Sequence, residues 1–210
     1  MFPIDIPPGT TLESLFMQVL PESHARFVPE SAPKDELRVL AHVEGGVTYE
    51  IVVRGRDVVV RESAAGAKPA VLWISFARSS GQALLDDLLG AKRLIPKATP
   101  PGGAMVMLTD PRILKRLMMV SGRLEIAIAD FNGARLSLVV GAGDAAKKGA
   151  LGQSPDVTIE AKMTTVDLVL AGKIPPDEVL SGGHVTITGK SFVAMQFAFA
   201  VAPFFPVLAT

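Results

Sequence analysis

Two stretches of alternating apolar residues, each interrupted by a tight-turn pair, constrain the fold more than any other feature of the chain. Leu37, Val39 and Ala41 alternate with Arg38, Leu40 and His42, Gly45-Gly46 marks a turn, and Tyr49, Ile51 and Val53 alternate on the return. The same pattern comes back 87 residues later as Leu124, Ile126 and Ile128, then Asn132-Gly133, then Leu136, Leu138 and Val140. Period-two alternation around a glycine turn specifies a β-hairpin. The chain is therefore built on antiparallel pairs and not on alternating βα units.

Further segments keep the order. Ala70 to Trp73 matches Asp156 to Ile159 at an offset of 86, and Gly102 to Asp110 matches Gly182 to Lys190 at an offset of 80. Few residues are identical, but element order, turn glycines and apolar phase agree. The expectation is two related α+β units, residues 11–120 and 110–208, with helix 111–120 shared between them.

Helix signals fill the gaps. Thr10 or Thr11 caps a helix through Leu12, Leu15, Phe16, Val19 and Leu20, which Pro21 is expected to end, leaving 21–35 as a loop. Val58 to Val60 and Val71 to Phe76 read as strands. Ser79 or Ser80 begins a helix through Leu84, Leu85, Leu88 and Leu89, stopped by Gly90. Met105 to Leu108 reads as a strand, and Asp110-Pro111 opens the next helix, with proline at its first position. A loop is expected over 141–150, a helix capped by Thr164 or Thr165, strands at 157–159 and 185–187, and a last helix over 191–201.

Composition removes several function classes. The chain has no Cys, which excludes disulfides, thiolate metal sites, iron–sulfur clusters and cysteine nucleophiles. Its three histidines, His24, His42 and His184, have no ligand spacing, so no metal is expected. Lys plus Arg and Asp plus Glu both number 21, and this balance argues against a nucleic-acid partner, which requires a basic face. Met1 to Pro8 has no basic region or apolar stretch of a targeting signal, and the expected compartment is the cytoplasm. The longest apolar run, Phe192 to Ala209, contains Gln196, Pro203 and Pro206, which argues against a membrane span.

Two motifs suggest nucleotides and fail on context. Gly141-Ala-Gly143-Asp-Ala-Ala146 has dinucleotide-loop spacing, but Gly149, Gly152 and Pro155 break the crossover helix that such a loop requires. Gly189-Lys190-Ser191 lies between a strand and a helix, but a phosphate loop needs glycine at 184, which is His184. That segment reads as a turn with Ser191 capping the last helix. No G-x-S-x-G elbow occurs, and no catalytic residue is assigned.

The apolar excess is more informative. Phe192, Met195 and Phe199 form one stripe of the last helix, and Val193, Gln196, Phe197 and Ala200 another. A helix apolar almost all round is buried on both sides, lines a cavity, or meets a membrane or partner.

Ser154-Pro-Asp-Val-Thr-Ile-Glu-Ala-Lys-Met163, Leu168-Val-Leu-Ala-Gly-Lys-Ile-Pro-Pro-Asp-Glu-Val-Leu-Ser-Gly-Gly183 and Val185-Thr-Ile-Thr-Gly-Lys190, with the apolar final helix, resemble the sterol carrier protein type-2 family of lipid-transfer domains. Gly172, Lys173, Pro176, Gly182 and Gly189 fill its motif places, while Lys190 stands where an acidic residue is common. The first unit resembles the family only through the repeat. The resemblance implies an SCP-2-like curved, mostly antiparallel sheet covered by helices, with an apolar tunnel between them. It implies non-catalytic binding or transfer of a sterol, fatty acid or acyl chain, with no cofactor. The ligand-facing residues it implies are Val157, Ile159, Leu168, Val185, Ile187, Phe192, Met195 and Phe199. The rival reading is an interaction module whose apolar C-terminal helix binds a partner or a second copy. Transient membrane contact and oligomeric state stay open.

Overall fold

The alternating stretches form the antiparallel pairs they predict. β1 (Glu36–Glu44) pairs with β2 (Thr48–Arg54), and β5 (Gly122–Phe131) with β6 (Ala134–Ala142). The computed structural model describes residues 9–63, 69–91, 109–131, 134–147, 154–170 and 173–201. The expected strand 105–108, the Asn132-Gly133 turn and the tail at 203–206 lie outside them.

The remaining strands are β3 (Asp57–Ser63), β4 (Leu72–Ala77), β7 (Val157–Ala161) and β8 (Val185–Gly189). The eight strands of the described residues belong to one sheet in the order β3-β2-β1-β4-β6-β5-β7-β8. Only the β1–β4 and β5–β7 pairings are parallel, so the fold is α+β with a mostly antiparallel sheet. The two parallel pairings share a register: Val39 faces Leu72 and Leu124 faces Val157, in each case 33 residues apart. Each is led in by an equivalent backbone bond, Val71 N–H to Arg38 O at 2.8 Å and Asp156 N–H to Arg123 O at 2.9 Å.

Helices α1 (Leu12–Ser14), α2 (Leu20–Phe27), α3 (Arg78–Ala91), α4 (Pro111–Leu117), α5 (Asp144–Lys147), α6 (Met163–Leu170), α7 (Pro176–Ser181) and α8 (Ser191–Val201) complete the described structure. One face of the sheet carries Leu37, Val39, Ile51, Leu72, Leu124 and Val157. Phe16 and Leu20, Ile113 and Leu114 of α4, and Val193 and Phe197 of α8 pack on it as one cluster. The two halves of the chain therefore share a core. On the opposite face Leu40, Ala70, Trp73 and Ala146 make a small second cluster. Beside it, buried Glu50 accepts a hydrogen bond from Arg61 Nε at 2.6 Å and forms an ion pair with Arg38 at 2.6 Å, so the charge removed from water is compensated.

Five local expectations need correction. Pro21 does not end the first helix. Leu15–Val19 widens into a π-helical turn in which Leu20 N–H bonds Leu15 O, and the helix resumes with Pro21 in its first turn, where the missing amide costs little. Residues 21–27 are therefore helical and not loop. The expected loop at 141–150 begins instead with the last two residues of β6 and helix α5; Gly143 has φ of 55°, and a Cβ there would lie 2.1 Å from Val120 O. α3 runs through Gly90, and α4 stops at Leu117 instead of 120. α6 starts at Met163, before either threonine, because Asp130 Oδ1 accepts from Met163 N–H at 3.0 Å across the chain.

His24 binds the first helix to the rest. Its Nε2–H donates to Gly55 O at 2.8 Å, which leaves Nδ1 to accept from the Thr109 hydroxyl at 2.9 Å. Burial pushes its pKa below the ordinary imidazole value, against the opposing pull of the Gly55 carbonyl, Asp110 and Asp57. The native state thus binds fewer protons than the unfolded chain just below that ordinary value. Stability is full above about pH 6.5 and falls as pH drops toward the depressed native pKa. Chemical denaturation should show the wild type losing stability between pH 7.5 and 5.5. His24→Gln should be about 1–3 kcal/mol weaker at pH 7.5 and lose distinctly less over that interval.

Candidate functional site

β7 and β8 form the outer end of the sheet in the second half. Ile159 faces Ile187 and Ala161 faces Val185, so the odd-numbered residues of both strands point to the helix-covered side. Val157 is buried in the shared core, and Ile159 and Ile187 pack against it while staying partly exposed.

α8 is seated above them by a clasp built on Asp156. Asp156 Oδ2 accepts from Arg123 N–H and Oδ1 from Lys190 Nζ, both at 2.9 Å, and its backbone carbonyl accepts from Lys190 N–H at 2.9 Å. The Lys190 ammonium and the Arg123 amide hold the Asp156 carboxyl below its usual range. Gly189, with φ of 98°, makes the turn into α8, and a Cβ on it would meet Asp156 O at 2.4 Å. The Gly189-Lys190-Ser191 segment is thus a turn with its lysine paired to a carboxylate. Ser191 is the first helical residue and not the cap preceding it.

The expected ligand-facing residues divide. Val157, Ile159, Val185 and Ile187 share one face of neighbouring strands. Leu168 of α6 and Met195 of α8 are half-buried. Phe192 and Phe199, 69% and 58% exposed, lie on the outward side of α8, whereas Val193, Ala194, Phe197, Ala198 and Ala200 turn inward. Of the two apolar stripes in this helix, the Val193–Phe197 stripe packs on the sheet.

Neighbouring helices close the layer in part. Val179 of α7 is buried and Leu180 packs on the core, while Met163 and Val166 of α6 pack against Ile128, Phe131 and Leu136. The Thr165 hydroxyl donates to His184 O at 3.3 Å and ties α6 to the start of β8. The cover remains thinner than in the first half. By the shared register, Ile74 of β4 stands where Ile159 stands in β7; Ile74 is 3% exposed, while Ile159 is only half-buried. Ile159, Val185, Ile187, Leu168 and Met195 together offer partly covered apolar surface on the core side of the sheet.

Among the described residues no group of three or more His, Asp or Glu is arranged to hold a metal ion, and no helix is long and apolar enough to cross a membrane. Glu125 lies on the opposite face and accepts from three side chains. Burial alone would raise its pKa, but hydrogen bonds from Ser137, Thr158 and Arg135 outweigh that and lower it. It acts as a cross-strand tie between β5, β6 and β7.

The motif glycines Gly182 and Gly189, the Asp156 clasp and the apolar α8 lie within a segment for which a relationship is found. Residues 106–201 match the SCP-2 sterol transfer family. No curated protein matches the chain. Solved structures similar to it include the sterol carrier protein domain 2 of Helicoverpa armigera, at 21% identity over 59% of this chain and 93% of that one, with a TM-score of 0.36. Sterol carrier protein 2 like 2 of Aedes aegypti is 14% identical over 58% and 96%, with a TM-score of 0.30. Sterol carrier protein 2 of Yarrowia lipolytica is 15% identical over 57% and 84%, also at 0.30. The SCP-2 match covers the helix-covered layer under α8 and begins before α4.

Sequence reasoning passed over Asp156 as a positioning residue, although it stands in the Ser-Pro-Asp-Val motif. It also passed over Gly122 of β5, against which Val193 of α8 packs. A Cβ on Gly122 would lie 2.6 Å from Val193 Cγ1, and a β-branched side chain in a helix has little freedom to turn away. Gly122→Ala should press α8 off β5 and destabilise the protein by about 1–3 kcal/mol, read by thermal or urea unfolding. The same substitution at Gly46, whose nearest neighbour is the end of the flexible Arg78 side chain, should be nearly neutral.

Proposed function

We propose that the second half of the chain binds or transfers an apolar ligand of the lipid class, held between the helix-facing side of β5, β7 and β8 and helices α6, α7 and α8. The observation that carries this reading is the incompletely covered apolar surface of Ile159, Val185, Ile187, Leu168 and Met195 inside the segment that matches the SCP-2 sterol transfer family. Binding there follows from area alone: removing apolar surface from water yields about 25 cal/mol per Å² and requires no charged group. On this reading Val157 forms the floor and Phe192 and Phe199 flank the entrance from the outward side of α8. The chain comprises two related units, 11–120 and 110–208, of which the second is the carrier. The protein acts without a catalytic residue or cofactor.

Phe192 and Phe199 favour one further reading, in which α8 docks on a partner or a second copy, because two exposed phenylalanines about two helical turns apart make a hydrophobic stripe. Organic extraction of purified protein, followed by titration with a fluorescent fatty acid and a fluorescent sterol, separates the two. Co-purified lipid with saturable uptake is expected. No extractable lipid and no uptake, together with mass that rises with concentration, would replace the carrier by the docking module.

A further inference from the structure

After Ser191 at its first position, Gln196 is the one polar residue of α8. Val193 stands three residues before it and Ala200 four after, so all three lie along one side of the helix. Both neighbours are buried in the shared core. The side-chain oxygen of Gln196 is itself buried and has no hydrogen-bond partner among the described residues. A carbonyl oxygen taken out of water without a donor is costly, and native proteins rarely keep one without reason. Helix formation does not require it, since methionine or leucine suits an α-helix at least as well as glutamine. The core side chains nearest along the helix, Val193, Phe197 and Ala200, have no side-chain donor to offer.

The missing donor is therefore suited to a group on a guest in the layer. We propose that Gln196 accepts a hydrogen bond from the hydroxyl of an apolar alcohol lodged against α8, and so selects hydroxyl-bearing ligands over equally large ones that lack a donor. This rests on the carrier reading above and adds to it the chemical class of ligand and the residue that reads it. The remainder of the ligand is held by apolar contact with residues such as Ile159 and Ile187, which discriminate only by size. A single buried acceptor discriminates by chemistry, because the wrong ligand leaves it unpaired.

The test pairs a pyrene-labelled long-chain alcohol with its methyl ether, titrated into wild type and Gln196→Met. Wild type is expected to bind the alcohol about ten-fold more tightly than the ether, the value of one hydrogen bond to an otherwise unpaired buried group. In Gln196→Met the ratio should fall to about one, with ether affinity unchanged or higher. Thermal unfolding of the ligand-free variant, equal to or above that of wild type, establishes that it folds. A ten-fold preference that survives in Gln196→Met overturns the assignment of the residue. Equal binding of alcohol and ether by wild type overturns the selectivity and leaves the carrier standing. Uptake of neither probe removes both.

Discussion

Leu72 to Phe76 of β4 lie antiparallel to Ala142 to Leu138 of β6, and this seam joins two halves that share a three-strand order, β2-β1-β4 in one and β6-β5-β7 in the other. On either side of it, the first half contributes β3-β2-β1-β4 and the second β6-β5-β7-β8. Because the seam aligns the two sets in one plane, their apolar faces fall on the same side and are filled by the same cluster, from Phe16 near the start of the chain to Phe197 near its end. A shared core is the physical reason the halves form one sheet: each buries apolar area that it would otherwise leave open at its inner strand.

The halves then diverge in how well that face is covered. Over β1, β2 and β4 the cover is tight, and Phe16 stacks on Tyr49 with ring centroids 4.8 Å apart. Over β7 and β8 the cover is a helix whose inner side is largely alanine and valine, seated close to β5 only because residue 122 has no side chain. Small inner residues bring α8 near the sheet at its start, where the Asp156 clasp holds it, and leave partly open apolar surface over the outer strands. The same three-strand order thus carries a closed core at one end and a partly open apolar surface at the other.

Much of this was legible in the chain. Alternation is a local signal, and it placed both hairpins. The shared face of Val157, Ile159, Val185 and Ile187 is what the family resemblance implies, and the last helix has its expected bounds of 191–201. The errors arose where distant backbone decides. Pro21 was misread because a π-helical turn, held by Phe16 and Leu20 in the core, absorbs the proline. The small residues after Val140 suggest a loop, yet they allow Gly143 to pass against the Val120 carbonyl. The β1–β4 and β5–β7 pairings join residues far apart in sequence through backbone bonds that leave no side-chain signature. His24 looked isolated because its partners, Gly55 and Thr109, are distant in the chain. In α8 both stripes are apolar, so sequence alone did not show that Val193 and Phe197, and not Phe192 and Phe199, turn inward.

The continuous sheet also governs contact with other chains. Two separate four-stranded sheets would expose four border strands, each with a row of unpaired amides and carbonyls open to a stranger's strand; among the described residues this sheet has two, β3 and β8. β3 carries Asp57, Arg61 and Glu62 in exposed positions, and charge on such a border discourages addition. β8 is five residues long, with Thr186 and Thr188 exposed, and it offers a short foothold. Fusing the halves therefore removes two of the four sites at which a protein of this plan would aggregate.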